Sequence, residues 1–207
     1  MLTPKHMIAG LALSLTAGTA SAALFDFQQM ANTVPGESAH QPLTVTATDF
    51  SVDINGFKST GLANAYLDAG HAGLGVCTPN GSGFCGADDN VDEVGEFLSF
   101  VFTQDVYISD IWFNNNHDAP FTLNGFNIDV NGSNTLFSDS MKDPAMGNQF
   151  RLSGTTFVAA GDSYTIGYVD QQFYVGAMKV STPEPAIPAL IALGLIGIGL
   201  STRKKKA

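Results

Sequence analysis

This 207-residue chain holds two cysteines, one tryptophan, four histidines, and nine basic residues against nineteen acidic ones. With only Cys77 and Cys85, and histidines scattered along the chain, no zinc cage of thiolates and imidazoles is legible. Basic residues are rarer still in the body. Between Ala23 and Thr182 only Lys58, Lys142, Arg151 and Lys179 face 18 acidic residues, a formal charge near -14. Such a field repels phosphate backbones, which excludes nucleic acid as a partner and favours cations or neutral and basic ligands.

Catalytic signatures are missing as well. No Gly-x-Ser-x-Gly elbow and no His-Glu-x-x-His box occurs. Gly161-Asp162-Ser163 echoes one esterase class, yet no histidine follows it, so it reads as a hairpin turn. His71 and His117 could meet only through the fold, and carboxylate pairs suited to glycoside hydrolysis are uninformative in so acidic a chain. The expectation is a non-enzyme.

Long apolar runs lie at the two ends. Lys5, an apolar run over residues 7–17 and the small triplet Ala20-Ser21-Ala22 have the order of a secretory signal peptide (residues 1–22), cut by signal peptidase between Ala22 and Ala23. At the other end, residues 186–202 hold no charge and as a helix would span roughly 25 Å, a minimal crossing of a hydrocarbon core about 30 Å thick. Arg203, Lys204, Lys205 and Lys206 follow as a stop that the positive-inside rule places in the cytoplasm.

Pro183-Glu184-Pro185, a short apolar helix and a terminal basic cluster together resemble the PEP-CTERM sorting signal of bacterial proteins handled by exosortase. Thr182 stands where one common variant has valine, a mild departure. The resemblance covers residues 183–207. It implies export from a Gram-negative cell, passage through the inner membrane by the C-terminal helix, and processing by exosortase near the motif. The body would then be released or re-anchored at the cell surface or in an exopolysaccharide matrix.

The remaining body, residues 23–182, is long enough for one domain with its own core. Residues 43–54 alternate with a period near two and end at Asn55-Gly56, a strong hairpin signal. Further strands are expected over 96–102, 106–113, 126–130, 135–138, 149–152, 164–169 and 173–180, with turns at Asn131-Gly132 and Gly161-Asp162. No apolar stripe of helical period runs for three turns, and residues 27–41 read as a loose polar arm. The expected class is all-β, an antiparallel sandwich of jelly-roll type, followed by the short transmembrane helix.

Three groups could carry chemistry in the body. Cys77 and Cys85, in an exported chain, suggest a disulfide closing a small loop rich in Gly, Asn and Pro. Asp88, Asp89, Asn90, Asp92, Glu93 and Glu96 place six oxygen-bearing side chains within nine positions, and calcium would offset their repulsion. The run begins like an EF-hand loop but has Glu93 and Ser99 where that loop needs Gly and Glu, so a solvated acidic loop is the competing reading. Trp112, Asn114 and Asn116 could stack on a sugar ring and bind its hydroxyls, unless strand alternation turns the indole inward. These features suggest a structural or adhesive matrix protein, with an extracellular carbohydrate-active hydrolase as the alternative.

Overall fold

The computed structural model describes residues 22–33, 35–78, 85, 89–114 and 123–183. The described residues form fourteen strands, all antiparallel where they pair, in one sheet that curls on itself. In chain order these are β1 (Ala22–Asp26), β2 (Ser38–His40), β3 (Leu43–Thr46), β4 (Ser51–Lys58), β5 (Gly61–Asp68), β6 (Gly73–Cys77) and β7 (Phe97–Phe102). They continue as β8 (Val106–Asn114), β9 (Asn127–Val130), β10 (Ser133–Leu136), β11 (Lys142–Asp143), β12 (Gln149–Val158), β13 (Ser163–Tyr168) and β14 (Tyr174–Ser181). The signal peptide, the transmembrane helix and the basic stop all lie outside the described residues.

The sheet curls at β5. Its first residues, Gly61–Ala63, pair with β4, and Asn64–Asp68 pair with β6. One half of the sheet then runs β10-β9-β13-β7-β4, with β3 on the edge of β4, and the other runs β6-β14-β8-β12-β11, with β1 beside β14. Alternation makes each half apolar on one face. Val52, Ile54, Leu98, Phe100 and Ile166 from the first half share a core with Ile108, Phe113, Met178 and Val180 from the second.

Asn55-Gly56 is not a turn. Residues 43–54 form two strands, in register from Leu43 opposite Ile54 to Thr46 opposite Ser51, and the chain reverses at residues 47–50. Gly56 lies inside β4, where a Cβ would stand 2.3 Å from the Asn64 carbonyl oxygen. The glycine therefore serves close strand approach at the curl, a second use of Gly that the dipeptide signal cannot separate from a turn. Asn131-Gly132 does turn the chain, between β9 and β10, with both residues at positive φ.

Residues 27–41 are not a loose arm. A short helix, α1 (Phe27–Asn32), is capped by Asp26, whose Oδ1 accepts from the Gln29 amide at 2.9 Å. It buries Phe27 and Ala31 and packs against β5, β6 and β14. A helix under two turns long carries too few apolar positions to show a period. After it, β2 pairs with β5.

Candidate functional site

The two ends of the described chain meet. β1 lies antiparallel to β14, with Ala22 opposite Ser181 and Ala23 opposite Val180. Local pattern explains β1: Phe25 enters the core against Phe50, while Leu24 faces out. β14 is held on both sides over this stretch, by β1 and by β8. The residues expected at signal cleavage therefore stand beside those that lead into the Pro-Glu-Pro motif. Pro183 is the last described residue; Glu184, Pro185 and Arg203, Lys204, Lys205 and Lys206 lie outside.

Cys77 and Cys85 are disulfide-bonded and packed against Tyr66 and Ala39. Tyr66 donates to Glu37 at 2.6 Å, and burial, with that carboxylate, pushes its hydroxyl pKa well up. The acidic run that follows is pinned to the sheet. Asp89 accepts from the Tyr174 hydroxyl at 2.7 Å, and the Val76 amide donates to the Asn90 carbonyl. Val91 exchanges backbone hydrogen bonds with Phe173. Gly75 permits this crossing, because a Cβ there would lie 2.0 Å from the Asp89 carbonyl oxygen.

Glu96, 2% exposed, turns inward. Its Oε1 pairs with Lys58 Nζ at 2.7 Å, and its Oε2 accepts from the Asp92 and Glu93 amides at 2.8 and 3.0 Å. Asp88 lies outside the described residues. Among the described residues no group of three or more His, Cys, Asp or Glu is placed to hold a metal ion. Asp89 and Glu96 thus act as internal struts, each toward its own partner.

Trp112 is 6% exposed. Its Nε1 donates to Asp143 at 2.9 Å and the Arg151 guanidinium lies 5.5 Å from its ring centroid. This arrangement leaves little of the indole for a sugar ring. Asn114 is buried, its amide donating to the Ala72 carbonyl at 2.7 Å, and Asn116 lies outside the described residues. His71 is exposed on a left-handed turn; His117 is not among the described residues. Gly161-Asp162 forms the turn from β12 to β13, and Ser163 shares a hydrogen bond of 2.7 Å with Ser99.

Sequence reading missed the polar system around Trp112. Asp110 accepts from Arg151 Nε at 2.7 Å and from Ser153 and Ser109 at 2.9 and 3.0 Å. Burial by itself would raise this carboxyl, but those hydrogen bonds and the guanidinium charge outweigh it and hold the pKa below the ordinary Asp value. The one available signal was alternation, which assigns Asp110 and Trp112 to one face. Beside the β8–β12 bulge a cleft of about 290 Å³ opens between the two halves, lined by Ile108, Asp110, Val130, Asn131, Thr135 and Tyr164 among others.

The model of the PEP-CTERM protein-sorting motif matches residues 181–205, a stretch that begins at the last residue of β14. The chain carries a PEP-CTERM sorting motif. No curated protein and no solved structure matches the chain. The PEP-CTERM match supports an exported protein processed by exosortase, and it falls outside the part of the chain that forms the core.

Proposed function

We propose that this protein is an exosortase substrate whose body serves, without catalysis, as a structural or adhesive component of an exopolysaccharide matrix at the surface of a Gram-negative bacterium. The observation that carries the reading is the position of the PEP-CTERM match, which starts where the last strand ends. In this reading signal peptidase frees the N-terminus, the C-terminal helix holds the chain in the inner membrane, and exosortase acts at the motif. The curled sheet is read as a two-layer sandwich, an architecture that suits an extracellular scaffold.

A matrix role needs a body that survives outside the cell. The disulfide, the Lys58–Glu96 pair and the doubly bonded β14 all support such persistence. Contact with polysaccharide is assigned to the cleft beside the β8–β12 bulge, where apolar walls, amide and hydroxyl groups and the Asp110 carboxylate, held by Arg151, offer partners for sugar hydroxyls. Calcium has no role in this proposal, because Asp89 and Glu96 are directed to Tyr174 and Lys58.

Expression in hosts with and without exosortase tests the reading. Loss of residues 186–207 only in the exosortase-positive host, prevented by Glu184→Ala, is expected. Equal chain length in both hosts would overturn it.

A further inference from the structure

The outer face of β1, β14, β8 and β12 carries two exposed aromatic rings and a leucine among its polar residues. Register aligns Ser181, Tyr107 and Phe157 across β14, β8 and β12, with Ala22, the residue before the expected signal cleavage, beside Ser181. Tyr107 and Phe157 pack on each other with ring centroids 5.5 Å apart, yet remain 37% and 52% exposed. Leu24, 51% exposed, and Lys179 form the neighbouring pair on the same face, which continues to Asp110, buried and paired with Arg151. Two exposed aromatic rings, a leucine and a lysine are thus gathered at the end of β14.

Chain length says what lies next to them. Ala186, where the uncharged run begins, lies five residue steps beyond Ser181. Fully extended, they reach about 17 Å. If the run occupies a bilayer, this tether keeps Ser181 and its row within reach of the headgroup layer, which is about 5–8 Å deep. Aromatic rings with an apolar body, and lysine with its charge at the end of a long stem, are the side chains that settle at that level.

Charge then selects the face over the tip. The loops at this end are tied together: Ser51 bonds to Thr103, Gln104 to the Asp49 carbonyl, and Ala160 to Asp105. They expose Asp49, Asp105 and Asp162, which an anionic lipid surface repels.

We infer that, while its tail is in the membrane, the body lies against the lipid headgroup layer through the face formed by Leu24, Tyr107, Phe157 and Lys179. The inference rests on the sorting reading, which supplies the membrane. The docked body keeps the motif at the membrane surface until the tail is removed, after which nothing but this small patch holds it there. A single such patch gives weak, reversible attachment, so processing releases the body.

Full-length protein in vesicles of phosphatidylcholine with a minority of phosphatidylglycerol, brominated in the upper acyl chain, provides the test. Phe157→Trp reports on the proposed face. Leu62→Trp reports on the opposite end, since Leu62 is exposed and pairs with Phe57 near the far end of β4. Trp112, buried, sets the background in both. Bromine quenching of the residue-157 probe at least about threefold stronger than that of the residue-62 probe is expected from interfacial placement. Equal quenching in protein that floats with the vesicles would overturn the docking while leaving the sorting reading intact. Protein that fails to float would overturn both.

Discussion

Ala22 stands directly across from Ser181 in the β1–β14 ladder. From Ala23 onward, opposite Val180, the first residues of the body therefore pair with the strand that leads into the sorting motif. Phe25 anchors β1, 4% exposed and edge-on to Phe50 at 5.9 Å. Phe25→Ala should cost about 3 kcal/mol by cavity formation and raise amide exchange over residues 177–181. Denaturant unfolding and hydrogen exchange measure the two effects. A stability loss with unchanged exchange at 177–181 would mean that β1 does not guard β14.

The Lys58–Glu96 pair makes a second prediction. Glu96 is almost wholly buried, so Lys58→Ala leaves a carboxylate without its nearest cation and should cost about 3 kcal/mol. Glu96→Gln removes the charge but retains an acceptor for the Asp92 and Glu93 amides, so it should cost less. Because the pair is internal, the melting temperature of the parent protein should not change between calcium and chelator. A calcium-dependent rise, lost in Glu96→Gln, would return the acidic run to metal binding.

Much of this fold was legible because β13 keeps apolar alternation and β8 keeps it on either side of its bulge, and because Asn131-Gly132 is free to adopt positive φ in an open turn. Asn55-Gly56 carried the same letters with a different cause, close approach to Asn64, which only the partner strand reveals. β5 begins with Gly61, Ala63, Asn64 and Ala65 among its first five residues, which have weak strand propensity. Its small buried residues Ala63 and Ala65 suit the crowding where the sheet curls and α1 packs. At the site, the disulfide followed from two cysteines in an exported chain. The ion-pair partner of Glu96 and the side-chain partners of Asp89 and Trp112 lie 38, 85 and 31 positions away, beyond any local pattern.

Glycines at crossings should resist substitution. Gly75→Ala would put a methyl into the Asp89 carbonyl, and Gly56→Ala into that of Asn64. Each should destabilise by about 3 kcal/mol or prevent folding, since the obstacle is backbone and cannot swing away. Gly154→Ala, with open space around its Cβ, serves as the control and should be near neutral. Thermal melts of the three variants decide this.

Stability should fall in acid partly through Asp110. Its folded pKa lies below the unfolded value near 3.8, so its contribution is fully present above about pH 5. It is lost as pH falls through the lowered folded value, where the proton breaks the Arg151 contact. Asp110→Asn should be less stable than the parent at pH 7, with the gap narrowing toward pH 2. A constant gap across that range would show that Asp110 acts by shape alone.

The measurement that bears most directly on the central claim is the intact mass of the native protein recovered from outside the cell, with its terminal peptides sequenced. The account predicts a chain that begins near Ala23 and ends within residues 183–185, the tail having served as an address. A chain that still ends in Arg203-Lys204-Lys205-Lys206-Ala207 would make the tail a lasting anchor and contradict processing at the motif.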